Sequence, residues 1–183
     1  MVIFFGCPSF QSAKGQNKKA LSASVHHPAS PFRKSKMPPF LIKEIPVHLS
    51  MLDVNGHVNN IVYVQWMQDI AIEHADSAGF GNELNGTASC NWVAKCHHIE
   101  YRQSAFANDT VLAATWIAKT RKVGCQRKYT FHRKSDAALP LLLAHAQTDW
   151  VLVDRENGRP RKIPAEALNR IKALGDTPDI PFN

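Results

Sequence analysis

The chain has 183 residues, 44% of them hydrophobic, which suits one domain with a sizeable buried core. No apolar run approaches the roughly 20 residues of a membrane-spanning helix. The formal net charge of +7 suggests a polyanion partner until it is located: residues 1–36 hold six basic residues and no acid, leaving 16 basic against 15 acidic residues for 37–183. The patterned part is nearly neutral, so nucleic acid is not expected as a partner.

Two segments follow: a basic leader over 1–36, and a single domain over 37–183. The leader is Ser-, Lys- and Pro-bearing with no sustained period. It reads as a disordered tail, as an organelle transit peptide, or as a start-site artefact with Met37 opening the domain. The apolar start, Val2 to Phe5, is short for a secretory signal. Cys7, Cys90, Cys96 and Cys125 form no C-x-x-C pair and are expected as reduced thiols in the cytoplasm, or in an organelle if 1–36 is a transit peptide.

In chain order, Ile45, Val47 and Leu49 alternate with polar residues and Pro46, predicting a first strand, and Ser50 to Gly56 is turn-like. The spacing of Val58, Val62, Trp66 and Ile70, widened by Ile61, Met67, Ala71 and Ala75, predicts a long helix from about Val58 to Ala78, ended by Gly79 and Gly81. From Ser89 the period changes to two. After a turn at Asn108-Asp109, strands are predicted over Val111–Thr120, Cys125–Arg133 and Leu141–Val153, with a turn at Asn157-Gly158. Pro164 opens a short helix over Ala165–Leu174. One strand, one broadly apolar helix and four strands in a meander imply an α+β fold: a five-stranded antiparallel sheet wrapped around the helix. Its outer face and edges need cover, so a homodimer or homotetramer is expected.

The chemistry concentrates in Asp53 to Trp66, D-V-N-G-H-V-N-N-I-V-Y-V-Q-W. Asp53, Asn55 and His57 alternate just before the helix. A carboxylate there can act as nucleophile or general base. Unpaired amides at the helix start, around His57 to Asn59, can hold an oxyanion, and Gly56 permits close backbone approach. The same residue types also serve structural ends: Asp and Asn as N-caps, Asn59 and Asn60 as turn formers, His57 as a surface histidine.

The string D-x-N-G-H-V-N-N-x-x-Y-x-x-W resembles the signature of hotdog-fold thioesterases, both the acyl-CoA enzymes related to 4-hydroxybenzoyl-CoA thioesterase and the plant acyl-carrier-protein thioesterases. The likeness extends from about Phe40 to Ala173 and includes His98-Ile99-Glu100-Tyr101-Arg102 and the G-R-P-R-x-I-P run that ends at Pro164. It implies a hotdog fold, Asp53 as the central residue, and Asn55 and His57 completing the plant-type set. Tyr63 and Trp66 match the motif as helix residues facing the core. One departure stands out: where plant enzymes carry a further acid after the E-Y-R segment, this chain has Gln103-Ser104. Glu73 is a candidate substitute, but a mid-helix glutamate is expected first to face solvent or pair with a lysine.

Cys96, His97 and His98 lack a second ligand pair at metal-site spacing, so no metal is expected. No G-x-S-x-G motif supports a serine triad. Lys119, Arg121 and Lys122, and Arg159, Arg161 and Lys162, flank two turns as solvated charges or as partners for coenzyme A phosphates. The expected function is hydrolysis of an acyl-CoA thioester in fatty acid metabolism. Asp53, Asn55 and His57 form the catalytic set, and Gly56, Val58, Asn59, Tyr63, Arg121 and Arg161 contact substrate. Coenzyme A belongs to the substrate and no cofactor is needed. The competing readings are a hotdog enoyl-CoA hydratase and a non-catalytic acyl-CoA or lipid-binding module.

Overall fold

The computed structural model describes residues 36–77, 89–135 and 139–181. The leader expected over 1–36 lies outside these residues apart from Lys36, as do the helix-ending Gly79 and Gly81. The elements are β1 (Phe40–Pro46), α1 (Asn60–Ser77), β2 (Cys90–Tyr101), β3 (Thr110–Thr120), β4 (Gly124–Arg133), β5 (Leu141–Asp154) and α2 (Ala165–Arg170). All strand pairs are antiparallel, in the order β1-β3-β4-β5-β2. This five-stranded sheet with one long helix against it is the expected hotdog architecture.

The buried residues of α1, Tyr63, Trp66, Met67, Ile70, Ala71 and His74, recur at helical spacing and form one face. Against it the sheet sets Val111 and Ala113, Tyr129 and Phe131, and Ala144 and Ala146, which share a face by register. The three alanines let the helix approach while aromatic rings fill the remaining space. Tyr63 packs edge-on against Phe131 at 5.4 Å and against Trp66 at 5.0 Å. Met67 and Ile70 are fully buried, and burial of such side chains contributes roughly 1.5–3 kcal/mol each.

Several expectations are corrected. The first strand is Phe40–Pro46 rather than Ile45–Leu49: Val47 leaves the ladder to exchange backbone bonds with Asp109 and Asn108, and a 3-10 turn over Leu49–Met51 breaks the alternation. The last four strands are not one meander. Only β3, β4 and β5 are; β2 lies at the far edge, paired with β5. The connection over 102–109 must therefore cross the end of the sheet from one side to the other. α1 starts at Asn60, not Val58, because the Asn59 side chain caps it, accepting the Ile61 N–H at 3.0 Å. Ile61, expected on the apolar stripe, is 74% exposed. The terminal helix stops at Arg170 rather than Leu174. Beyond it the chain is extended over the outer sheet face, where Leu174 and Gly175 donate to the carbonyls of Ile117 and Ala118 and the Trp116 indole donates to the Gly175 carbonyl at 3.0 Å. Part of the cover expected from a second subunit is thus supplied by the chain itself.

One polar network interrupts the apolar layer. Arg127, on the helix-facing side of β4, donates through Nη1 to His74 Nδ1 at 2.8 Å and to Thr115 Oγ1 at 3.1 Å. His74 Nε2 lies 2.8 Å from the Pro38 carbonyl. Guanidinium cannot accept and a carbonyl cannot donate, so the ring is neutral with its proton on Nε2. Burial, reinforced by the Arg127 charge, pulls the His74 pKa from 6.5 down to about 4. The unfolded chain therefore takes up a proton below pH 6.5 that the folded chain refuses until about pH 4. Stability is full above the unfolded value and declines as pH falls between the two, by about 3 kcal/mol for a shift of this size. In urea unfolding from pH 7 to pH 4, His74→Gln should flatten the wild-type pH slope by about that amount. An unchanged slope would show that His74 is not the titrating group.

Candidate active site

The backbone between β1 and α1 folds into a tight turn. The Asp53 N–H donates to the His57 carbonyl at 2.8 Å, and the Gly56 N–H to the Asp53 carbonyl at 3.1 Å. Gly56 sits at φ +76°, which a side chain would strain. The turn is anchored from outside. Val58 N–H donates to the Ala105 carbonyl and Asn59 N–H to the Met51 carbonyl, each at 2.9 Å, and His57 stands edge-on to Phe106 at 5.2 Å. Ala105 and Phe106 belong to the connection that crosses the sheet end, so the β2-to-β3 crossing positions this turn.

Within the turn the Asp53 carboxylate is oriented by its own chain. Oδ1 accepts the Asn55 N–H at 2.8 Å and the His57 N–H at 3.3 Å. Oδ2 has only the longer contact from the Asn55 side-chain amide, at 3.4 Å. The Asn55 amide bond is the largest cause holding the Asp53 pKa below the ordinary carboxylate value; desolvation opposes it, and the His57 amide, the Asn55 side chain and the His57 charge add to the lowering. Asp53 is thus an ionised carboxylate with one oxygen tied down and the other nearly free.

Asp53 and His57 line a cleft of about 310 Å³ with Val58, Asn60, Tyr63 and the segment Tyr101 to Ala105. Tyr63 is almost fully buried, and burial pushes its phenol pKa up to about 12, so it remains a donor at neutral pH. The Tyr101 hydroxyl donates to the Asn60 carbonyl at 3.2 Å. Among the described residues the Asn60 N–H, first in α1, meets no acceptor. Asn60, the first residue of α1, also lines the cleft that holds Asp53.

The structure brings together some of the expected residues and separates others. Asn55 faces Asp53 rather than the cleft. Gly56 and Asn59 shape the turn and the helix cap but do not line the cleft. The amides of His57, Val58 and Asn59, expected to face an oxyanion, are already taken by Asp53, Ala105 and Met51. Arg121 and Arg161 are remote within one chain. β3 runs from Thr110, beside the turn, to Thr120, about 33 Å along a ten-step strand, and Arg121 follows it. Arg161 donates to Ser89 Oγ at the Cys90 end of β2, whose Tyr101 end borders the cleft. Glu73 pairs with Lys43 of β1 on the exposed side of α1. Arg102, Gln103 and Ser104 line the cleft without having been singled out as contacts. Their signal was the E-Y-R segment and the departure just after it, and Gln103-Ser104 does stand at the cleft beside Asp53.

Comparison with known proteins agrees with this geometry. Residues 47–171 match the thioesterase-like superfamily. A chloroplastic palmitoyl-acyl carrier protein thioesterase of Cuphea hookeriana is 29% identical over 121 residues, 62% of this chain and 28% of that protein. The chain thus spans about a quarter of the length of the curated relatives it matches. In structure it is similar to a 1,4-dihydroxy-2-naphthoyl-CoA thioesterase from Synechocystis, with a TM-score of 0.64 and 18% identity over 72% of this chain and 95% of that one. It is also similar to a Staphylococcus aureus protein solved in complex with CoA, with a TM-score of 0.65 and 12% identity over 74% of this chain and 82% of that one. With the family match covering the turn, the central helix and all but the first strand of the sheet, the chain belongs to the thioesterase-like superfamily.

Proposed function

We propose that the protein hydrolyses an acyl-CoA thioester to a free acid and coenzyme A, with Asp53 as the reacting group. The observation that carries this reading is the ionised Asp53 carboxylate, held by two backbone amides, in one cleft with Asn60, whose helix-first amide is unpaired among the described residues. Carboxylate and amide supply the two things a thioester carbonyl needs: an attacking or proton-accepting oxygen, and a donor for the oxygen that becomes negative.

A lowered pKa makes Asp53 a weak base but keeps it charged, which favours direct attack. Oδ2 adds to the thioester carbon while the Asn60 N–H holds the oxyanion. The carbon–sulfur bond breaks and the thiolate leaves, taking a proton from solvent. Water then hydrolyses the mixed anhydride, freeing the acid and restoring the carboxylate. If water attacks first with Asp53 accepting its proton, the same groups serve. His57 positions the acyl group or the water, Asn55 steadies Asp53, and the Tyr63 phenol is a further donor. For coenzyme A phosphates, Arg102 at the cleft replaces Arg121 and Arg161 as the contact from the same chain. The preference for CoA over an acyl carrier protein rests on the nearly neutral charge of 37–183, which offers no evident basic docking patch for an acidic carrier, and on the CoA named for structural neighbours. The exposed apolar residues Leu49, Val54 and Ile61 near the turn, and the open edge of β2, support a homodimer.

Asp53→Asn should lower thiol release from acyl-CoA by roughly a hundredfold or more while the protein stays folded; full turnover in a folded variant would refute the assignment. Asn60→Pro removes the free amide at a helix position where proline is tolerated, and kcat should fall roughly a hundredfold with little change in melting temperature. An unchanged kcat would show that the oxyanion is held elsewhere. Because Asp53 titrates below 3.8, kcat/KM should show no acid limb above about pH 5. A limb near the ordinary histidine range would move the proton transfer to His57.

A further inference from the structure

A second cavity, of about 250 Å³, lies between the later turns of α1, the Cys90 end of the sheet and α2. Its walls are largely apolar, with Trp92, Ile117, Trp150, Ile163 and Ile171 among them, and Arg127 lines it too. The two sites are separate. The α1 residues of the Asp53 cleft are Asn60 and Tyr63, those of this cavity run from Gln68 to Asp76, and the buried Trp66 and Met67 stand between. Their midpoints are about 16 Å apart along the helix.

Arg127 is unusual in this setting. It is 5% exposed, yet no carboxylate lies within ion-pair distance of it among the described residues. Its only hydrogen-bond acceptors there are the neutral His74 ring and the Thr115 hydroxyl, both reached through Nη1. Nε and Nη2, the rest of the planar fork, have none among the described residues. Cys125, also on the wall, brings no negative charge, since burial pushes its thiol up to about 11. Asp76 is exposed and lines the cavity without pairing with Arg127. A buried cation without an anion is strongly unfavourable, and a guanidinium fork matches a carboxylate. The apolar walls match a hydrocarbon or aromatic body. The volume, just under the roughly 300 Å³ at which pockets for drug-sized ligands begin, limits the occupant to a small molecule.

We propose that this cavity binds a small monocarboxylic acid, its carboxylate on the free side of the Arg127 guanidinium and its apolar body against the tryptophan and isoleucine walls. The inference does not depend on the thioesterase reading, and its test measures binding, not turnover.

The probe is octanoate, titrated calorimetrically into the full chain beside the uncharged octanamide. Octanoate should bind one per chain, with octanamide at least about tenfold weaker, the scale of losing a hydrogen bond to a charged group. Arg127→Met should weaken octanoate by at least the same factor. Ala167→Phe, which fills the cavity from α2 while leaving the Arg127 bonds in place, should do likewise and decides the matter if Arg127→Met does not fold. Asp53→Asn should leave the octanoate affinity unchanged. Equal affinity for acid and amide, binding that survives the Ala167→Phe filling, loss of binding in Asp53→Asn, or no binding of octanoate would each overturn the proposal.

Discussion

Two backbone amides converging on one carboxylate oxygen set the character of this molecule. The Asn55 and His57 N–H groups on Asp53 Oδ1 fix where the carboxylate points, keep it ionised and leave its other oxygen nearly free. The turn that supplies them is short and polar and cannot hold its shape alone. It is held because Val58 is bonded to Ala105 and Asn59 to Met51, and Ala105 reaches that position only because β2 lies at the opposite edge from β1, forcing the 102–109 connection across the sheet end. Sheet order, crossing segment, turn and carboxylate form one dependent series.

The helix start completes the arrangement by a division of labour between two neighbouring asparagines. Asn59 spends its side chain on the cap, satisfying the Ile61 amide. Asn60 then presents an amide that helix geometry leaves unpaired. The cleft thus combines a negative charge oriented by backbone amides with Asn60, whose own amide is unpaired, an arrangement that needs little rearrangement to act.

Much of this was legible in the sequence. The switch from a helical to a two-residue period placed α1 and the strands β3, β4 and β5 within a residue or two, because these segments are buried on a consistent face. The D-x-N-G-H string marked the turn. Other features were not legible. Alternation reports which face a strand buries but not which strand it pairs with, so β2 was set beside β3 when it pairs with β5. Spacing alone could not decide which amides stay free, since that depends on Ala105 and Met51, distant in sequence or bonded through a turn. Arg121 and Arg161 looked suitable by charge, yet the strands carry them to the far end of the sheet. Arg127 did leave a signal: it stands in line with Cys125, Tyr129 and Phe131 on an otherwise apolar face of β4, and a charge in that position asks for an explanation.

The reaction proposed for the Asp53 cleft is cleavage of the carbon–sulfur bond of an acyl thioester. The most direct measurement is free-thiol release by the purified wild-type chain over acyl-CoA substrates of graded length, saturated, enoyl and aromatic, with the enoyl absorbance followed in parallel. Stoichiometric release of thiol and acid is expected from at least one of them, with the enoyl double bond intact. Tight acyl-CoA binding without thiol release, or loss of the enoyl absorbance with the thioester preserved, would contradict it.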